Sequence, residues 1–198
     1  MQLVLKTAPT TEPISLDELK IHLRIDEDDS DIDTDLESII SSAREHIEEI
    51  TSRKLITQTW DYYFNAFPND SSFKLPFGNL QSVTHVKYID SDANETTMAV
   101  DDEYIVETNG TQCGRIVLPY SVSWPSFTAY PSNPINIQYV CGWINASSVP
   151  GNIKSAIKLI CGDLYANKEG RLLSSSDYRE NKTVMNLLSS SKLYDRFL

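Results

Sequence analysis

The sequence runs to 198 residues, 40% hydrophobic and 23% charged, ordinary proportions for a chain that buries a core and has room for a second small lobe. Its formal net charge of −11 makes it a poor candidate for wrapping nucleic acid, because affinity for phosphate comes from clustered Lys and Arg. No membrane span is expected, since no run of about 18 apolar residues occurs; the opening MQLVLKTAPTTEPIS lacks the features of a signal peptide, so a cytosol-like compartment is expected.

The charge is unevenly spread. Residues 1–50 hold 14 acids against 4 bases, residues 51–149 hold 9 against 5, and residues 150–198 reverse the sign with 5 against 8. An acidic body can line a passage through which DNA slides without sticking. Cys113, Cys141 and Cys161 are odd in number and far apart, and are expected to be buried and reduced.

In chain order, residues 1–14 read as extended, with Pro9 and Pro13 opposing an early helix. Ser15-Leu16-Asp17-Glu18 is a capping box with Ile14 and Leu19 at the staple positions, so a short helix should run from Leu16 to about Arg24. An acidic run, Asp26 to Asp35, follows. Asp26, Asp28, Ser30 and Glu37 fall at positions 1, 3, 5 and 12 of a calcium loop, but Asp31 stands where its sharp turn needs glycine. The acids are better read as favouring the start of the next helix, where free N–H groups attract negative charge. That helix, over 31–53, carries Ile32, Leu36, Ile39, Ile40, Ala43, Ile47 and Ile50 at steps of three and four. Such a stripe needs a partner, in the same chain or in a neighbouring copy.

From Leu55 the pattern alternates, predicting strands over 56–64, 82–89, 96–100, 104–107, 115–118 and 135–140, separated by turn signals and the proline-rich 119–134. Helical spacing returns after Pro150 with Ile153, Ala156, Ile157, Ile160 and Leu164, the natural partner of the 31–53 stripe. Beyond Gly170, a basic tail with Arg179, Lys182, Lys192 and Arg196 carries Leu187, Leu188, Tyr194 and Phe197. It has too little apolar surface for its own core and is expected to dock on something. The expected fold is α+β: a helical bundle core (helices near 16–24, 31–53 and 151–169, within residues 1–54 and 144–170), an inserted β-rich lobe over 55–143, and a C-terminal arm over 171–198.

Chemistry-bearing patterns are few. His22, His46 and His85 are dispersed, and Glu45-His46-Ile47-Glu48-Glu49 lacks the second histidine of a zinc helix. None of the 7 glycines forms a phosphate-cradling loop, and no GxSxG elbow occurs. The many acids leave a pair of catalytic carboxylates open, because sequence does not set their separation. Trp60, Trp124 and Trp143 are interleaved with acids, which suits packing better than base stacking. The expectation is a non-enzyme without metal or cofactor.

Several motifs in this order resemble a known family. Pro13-Ile14-Ser15-Leu16-Asp17-Glu18-Leu19-Lys20, His22-Leu23-Arg24, Ala43-Arg44-Glu45-His46-Ile47-Glu48 and Thr51-Ser52-Arg53-Lys54-Leu55-Ile56-Thr57-Gln58-Thr59-Trp60 are similar to the tailed-phage head–tail connector (adaptor) family, of the HK97 connector and phiE125 gp8 type. Leu75-Pro76-Phe77, Leu80-Gln81-Ser82-Val83, Tyr88-Ile89-Asp90, Trp124-Pro125, Tyr139-Val140-Cys141-Gly142, Val149-Pro150 and Ile153-Lys154-Ser155-Ala156-Ile157 extend the likeness over roughly residues 10–170. Lys168 departs from the arginine usual there, and the tail after Arg171 matches nothing.

The resemblance implies a structural ring in the virion neck, twelve copies beneath the portal protein, extending the DNA channel and offering a stopper or tail-completion protein its attachment surface. DNA would pass without sequence-specific binding, and no membrane is involved. Within that picture, Arg179, Lys182, Leu187, Leu188, Lys192, Tyr194, Arg196 and Phe197 are expected to dock on the portal. Asp28, Asp29, Asp31 and Asp33 are expected to face the channel. The rival expectation is a non-enzymatic oligomeric binding or regulatory module that uses the 31–53 helix as its interface.

Overall fold

Residues 2–7, read from sequence only as extended, form strand β1 (Gln2–Thr7), and it pairs with a strand far along the chain, β2 (Gln58–Phe64). The computed structural model describes residues 1–167 and 181–193. Strands β3 (Ser72–Gly78), β4 (Leu80–Ile89), β5 (Glu95–Thr97), β6 (Ile105–Glu107), β7 (Cys113–Val117) and β8 (Ile135–Cys141) follow. They make a five-stranded antiparallel sheet in the order β1-β2-β8-β4-β5 and a three-stranded antiparallel sheet in the order β3-β7-β6. Residues 1–10 and 57–143 form this β unit; residues 11–56 and the described part of 144–193 form a helical unit.

The β unit has its own core. Along β8, Ile135, Ile137, Tyr139 and Cys141 are buried alternately with half-buried residues, the two-residue period of a sheet with unlike faces. Leu75, Val86 and Ile116 meet them from the other strands. Gly114 is required by close approach, since a Cβ there would collide with the Leu80 side chain. The loop after β7 folds back through its aromatics: Trp124 stacks on Phe67 at 4.9 Å and 3°, and its Nε1–H donates to Asp70 O at 2.8 Å.

These strands correct the expected fold class. The chain is not a helical bundle core with a lobe inserted into it. Among the described residues it has four helices and eight strands, and the two sheets surround a hydrophobic core of their own. Helical periodicity is a local signal, whereas β1 becomes a sheet strand only by meeting β2, and β2 only by meeting β8. Strand β3 was missed because Pro76 and the positive φ of Phe77 (66°) break its alternation; it tolerates both as an edge strand whose register shifts between Lys74 and Gly78.

The helical unit opens with the capping box. Ser15 Oγ accepts from the Glu18 N–H at 3.1 Å, and the Glu18 carboxylate accepts from the Ser15 N–H at 3.2 Å, starting α1 (Leu16–Leu23). Helix α2 (Asp33–Thr51) begins later than expected. Asp26 and Asp29 instead accept from the backbone N–H groups of Asp28 and Asp31, the local turns that aspartate favours over helix. Its stripe buries Leu36, Ile40, Ala43 and Ile47, with Ile32, Ile39 and Ile50 half-buried. Helix α3 (Gly151–Ala166) packs on α2 and buries Ile153, Ala156, Ile157 and Cys161; Ile160 is half-buried and Leu164 exposed. Helix α4 (Lys182–Leu188) packs on α3 through Val184 and Leu188.

A charged cluster lies inside this unit. Arg44, 5% exposed, donates from Nε to Glu12 at 2.8 Å and lies 3.5 Å from Glu48. Glu48, 4% exposed, also takes Lys54 Nζ at 3.1 Å and the Leu55 N–H at 2.9 Å. Burial pushes the Glu12 carboxyl above its usual range, and Arg44 only partly offsets that. A carboxyl with a raised native pKa binds more protons folded than unfolded, so stability falls as pH rises from its unfolded value of 4.5 through the native one. Glu12→Gln should remove that slope: urea unfolding of the variant and the parent from pH 4 to 7 should show the parent losing stability relative to the variant as pH rises. Parallel curves would mean that Glu12 titrates as an ordinary exposed acid.

Candidate assembly surfaces

Lys20 organises the acidic loop before α2. It sits in α1 only 3% exposed, and its ammonium meets Asp33 Oδ1 at 2.6 Å, Asp29 O at 2.7 Å and Glu27 O at 3.2 Å. The hydrogen bond that Lys20 donates to Asp33 holds that ammonium protonated to higher pH than an ordinary lysine. The cation of this loop is thus a side chain of the protein itself. Asp28, Asp29 and Asp31 project to solvent, whereas Asp33 is committed to Lys20. Nothing in the local sequence signals this contact, because Lys20 looks like one more polar residue of a short helix.

The C-terminal candidates divide. Leu188 is fully buried on the helical unit, Leu187 and Lys192 are half-buried, and Lys182 is exposed. Asn152 Nδ2 donates to Leu187 O at 2.8 Å, Arg53 Nε donates to Ser191 O, and the Leu193 N–H donates to Thr51 O at 2.9 Å, so α4 and the residues after it are stitched to α2 and α3. Arg179, Tyr194, Arg196 and Phe197 lie outside the described residues, as do the last residues of the helix expected to reach 169.

The groups that could carry chemistry are scattered or inert. His22 and His46 are exposed on separate helices, and His85 Nε2 meets Asn136 Oδ1 at 2.7 Å. All three cysteines are buried, and burial pushes the Cys161 thiol up to about 12, away from thiolate reactivity. A cavity of about 450 Å³ beside β2 and β3 is lined by Tyr62, Phe64, Phe73, Lys74 and Arg115 among others, with Asp70 its only acid and no histidine or cysteine. Among the described residues no His, Cys, Asp and Glu are grouped to hold a metal ion, and no helix is long and apolar enough to cross a membrane.

A different kind of surface stands out on the β unit. β1 is an edge of the five-stranded sheet, and all six of its residues are exposed, with Leu3 at 37%, Val4 at 39% and Leu5 at 44%. Sequence reading gave residues 1–14 only as extended, because an open edge is defined by the strand that is absent on its outer side and not by the strand's own residues.

No curated protein matches the sequence. Among solved structures, the fold is similar to a chain in the neck of an empty gene transfer agent particle with C6 symmetry, at TM-score 0.80 and 21% identity, covering 100% of this chain and 98% of that one. It is also similar to a chain in the neck of the native particle with C12 symmetry, at TM-score 0.73, 20% identity and the same coverage. At these identities the likeness speaks for the fold. Residues 13–108, a little under half of the chain, match the model of the phage gp6-like head-tail connector proteins, and in that segment the chain is similar to that family.

Proposed function

We propose that this chain is the structural connector in the neck of a tailed phage or phage-like particle. Copies form a ring beneath the portal, twelve to match it, that extends the DNA channel and presents an attachment surface to a stopper or tail protein. The observation that carries this is the family match over residues 13–108, supported by likeness of fold along the whole chain to neck proteins. The role is structural, in keeping with scattered histidines and buried thiols. A ring needs heterologous interfaces, one patch of each copy meeting a different patch of the next. Electron microscopy of particles made without this gene should show heads and tails unjoined; intact virions would remove the proposal.

In this role the C-terminal residues contact the portal. Leu188 is spent on the helical unit, so the contact falls to Lys182, Lys192 and the residues after Leu193. A chain truncated after Leu193 keeps the α4 packing, and it should fold with the parent's circular dichroism yet fail to co-purify with portal protein. Undiminished co-purification would rule out the residues after Leu193 as the contact.

The exposed acids Asp28, Asp29 and Asp31 face the channel or its rim and keep DNA from adhering, because like charges repel across a short screened distance. Replacing the three by Asn should leave assembly intact and slow genome release. Normal release kinetics from those particles would count against channel placement. Asp33 is left out of that variant, since its loss would strip Lys20 of its partner.

A further inference from the structure

The five-stranded sheet has two unlike edges. β1 is open on one side, six residues long, with Leu3, Val4 and Leu5 exposed. β5 lies at the opposite edge, three residues long and fully exposed, followed by exposed Val100. Among the described residues no strand pairs with the outer side of either. An open strand presents a row of unpaired N–H and C=O groups, and soluble proteins guard such rows with charges, prolines or bulges. β1 has only Lys6 and an irregularity between Leu5 and Thr7, both at its far end, leaving residues 2–5 unguarded.

The two edges are complementary in charge. Residues 1–10 contain Lys6 and no acid, while residues 90–103 contain six acids and no base. Meeting of two β5 edges would set acid against acid. Meeting of two β1 edges would give a two-fold dimer, which closes on itself and cannot build a ring.

We propose, on the ring reading above, that β1 of one copy adds to the β5 edge of the next, continuing the five-stranded sheet across each subunit boundary. Every neighbouring pair in the sheet is antiparallel, so β1 and β5 run in the same direction. Copies related by a small rotation about a ring axis therefore join β5 to β1 as a parallel pair, with slanted, evenly spaced hydrogen bonds. Leu3, Val4 and Leu5 then lie over the 96–100 segment of the neighbour, and Lys6 faces its acids. Each copy gives one edge and receives another, the head-to-tail logic that a closed ring demands.

Within one chain the two edges stand four strand spacings apart, about 19 Å, too far for a disulfide. Val4→Cys with Thr96→Cys, both at exposed positions, therefore reports only on contacts between copies, and the native thiols are buried. In assembled necks carrying the full-length double variant, oxidation or a short bismaleimide should give a ladder of covalent multimers on a denaturing gel. Either single variant should stay monomeric. Rings visible by microscopy without the ladder would overturn the edge pairing while leaving the connector function standing. Dimers from Val4→Cys alone would replace it with two-fold pairing of β1. Failure of the parent protein to form rings or enter necks would overturn the connector reading and this inference with it.

Discussion

The helical unit hangs on one buried carboxylate. Glu48, in the last turn of α2, accepts the Leu55 N–H and faces both Lys54 and Arg44, and Arg44 in turn reaches Glu12 before α1. The approach to α1, α2 and the residues just after α2 are thereby oriented by charges of which Arg44 and Glu48 are buried. Buried pairs of this kind contribute little net stability, because desolvating each ion costs about as much as the attraction returns. Loss of one partner is another matter, since it strands a charge in the interior. Such a cluster therefore serves to select one arrangement of α2 and its flanks.

Around that anchor the apolar stripe of α2 acts less selectively. Leu36, Ile40, Ala43 and Ile47 bury against the unit, and α3 and α4 supply cover in the form of Ile153, Ile157 and Leu188. Lys20 repeats the logic of Arg44 at the other end of α2: a buried cation gathers backbone carbonyls and Asp33, leaving the remaining acids of the loop free to set surface potential. Charge inside this unit shapes the chain, and charge outside it is available to partners.

The β unit solves a different problem. Its core is satisfied by two sheets, and what it leaves unsatisfied is at the margins: an apolar strand with an open side, a short acidic edge opposite, and an aromatic-clamped loop. Open edges of this kind are where a sheet can take on a further strand. A body with dispersed histidines and inert thiols suits a connector, which works by shape, contact and potential.

Much of this could be read directly from residue order. The capping box at Ser15, the stripes on α2 and α3, and most strands of the β unit lie close to where periodicity puts them, because each depends on neighbours within a few residues. The ordered motifs also pointed to the connector family. Other features depended on distant partners. Residues 2–7 become a strand only through β2, Pro76 is tolerated only because β3 is an edge, and Lys20 is a buried cation only because the 27–33 loop folds over it. Leu188 likewise is an internal residue through its packing on the helical unit, although its sequence suggests a free docking arm. Local spacing reports which face of an element is apolar; which remote surface meets that face is settled when the chain closes on itself, since pairing, burial and desolvation are properties of both partners.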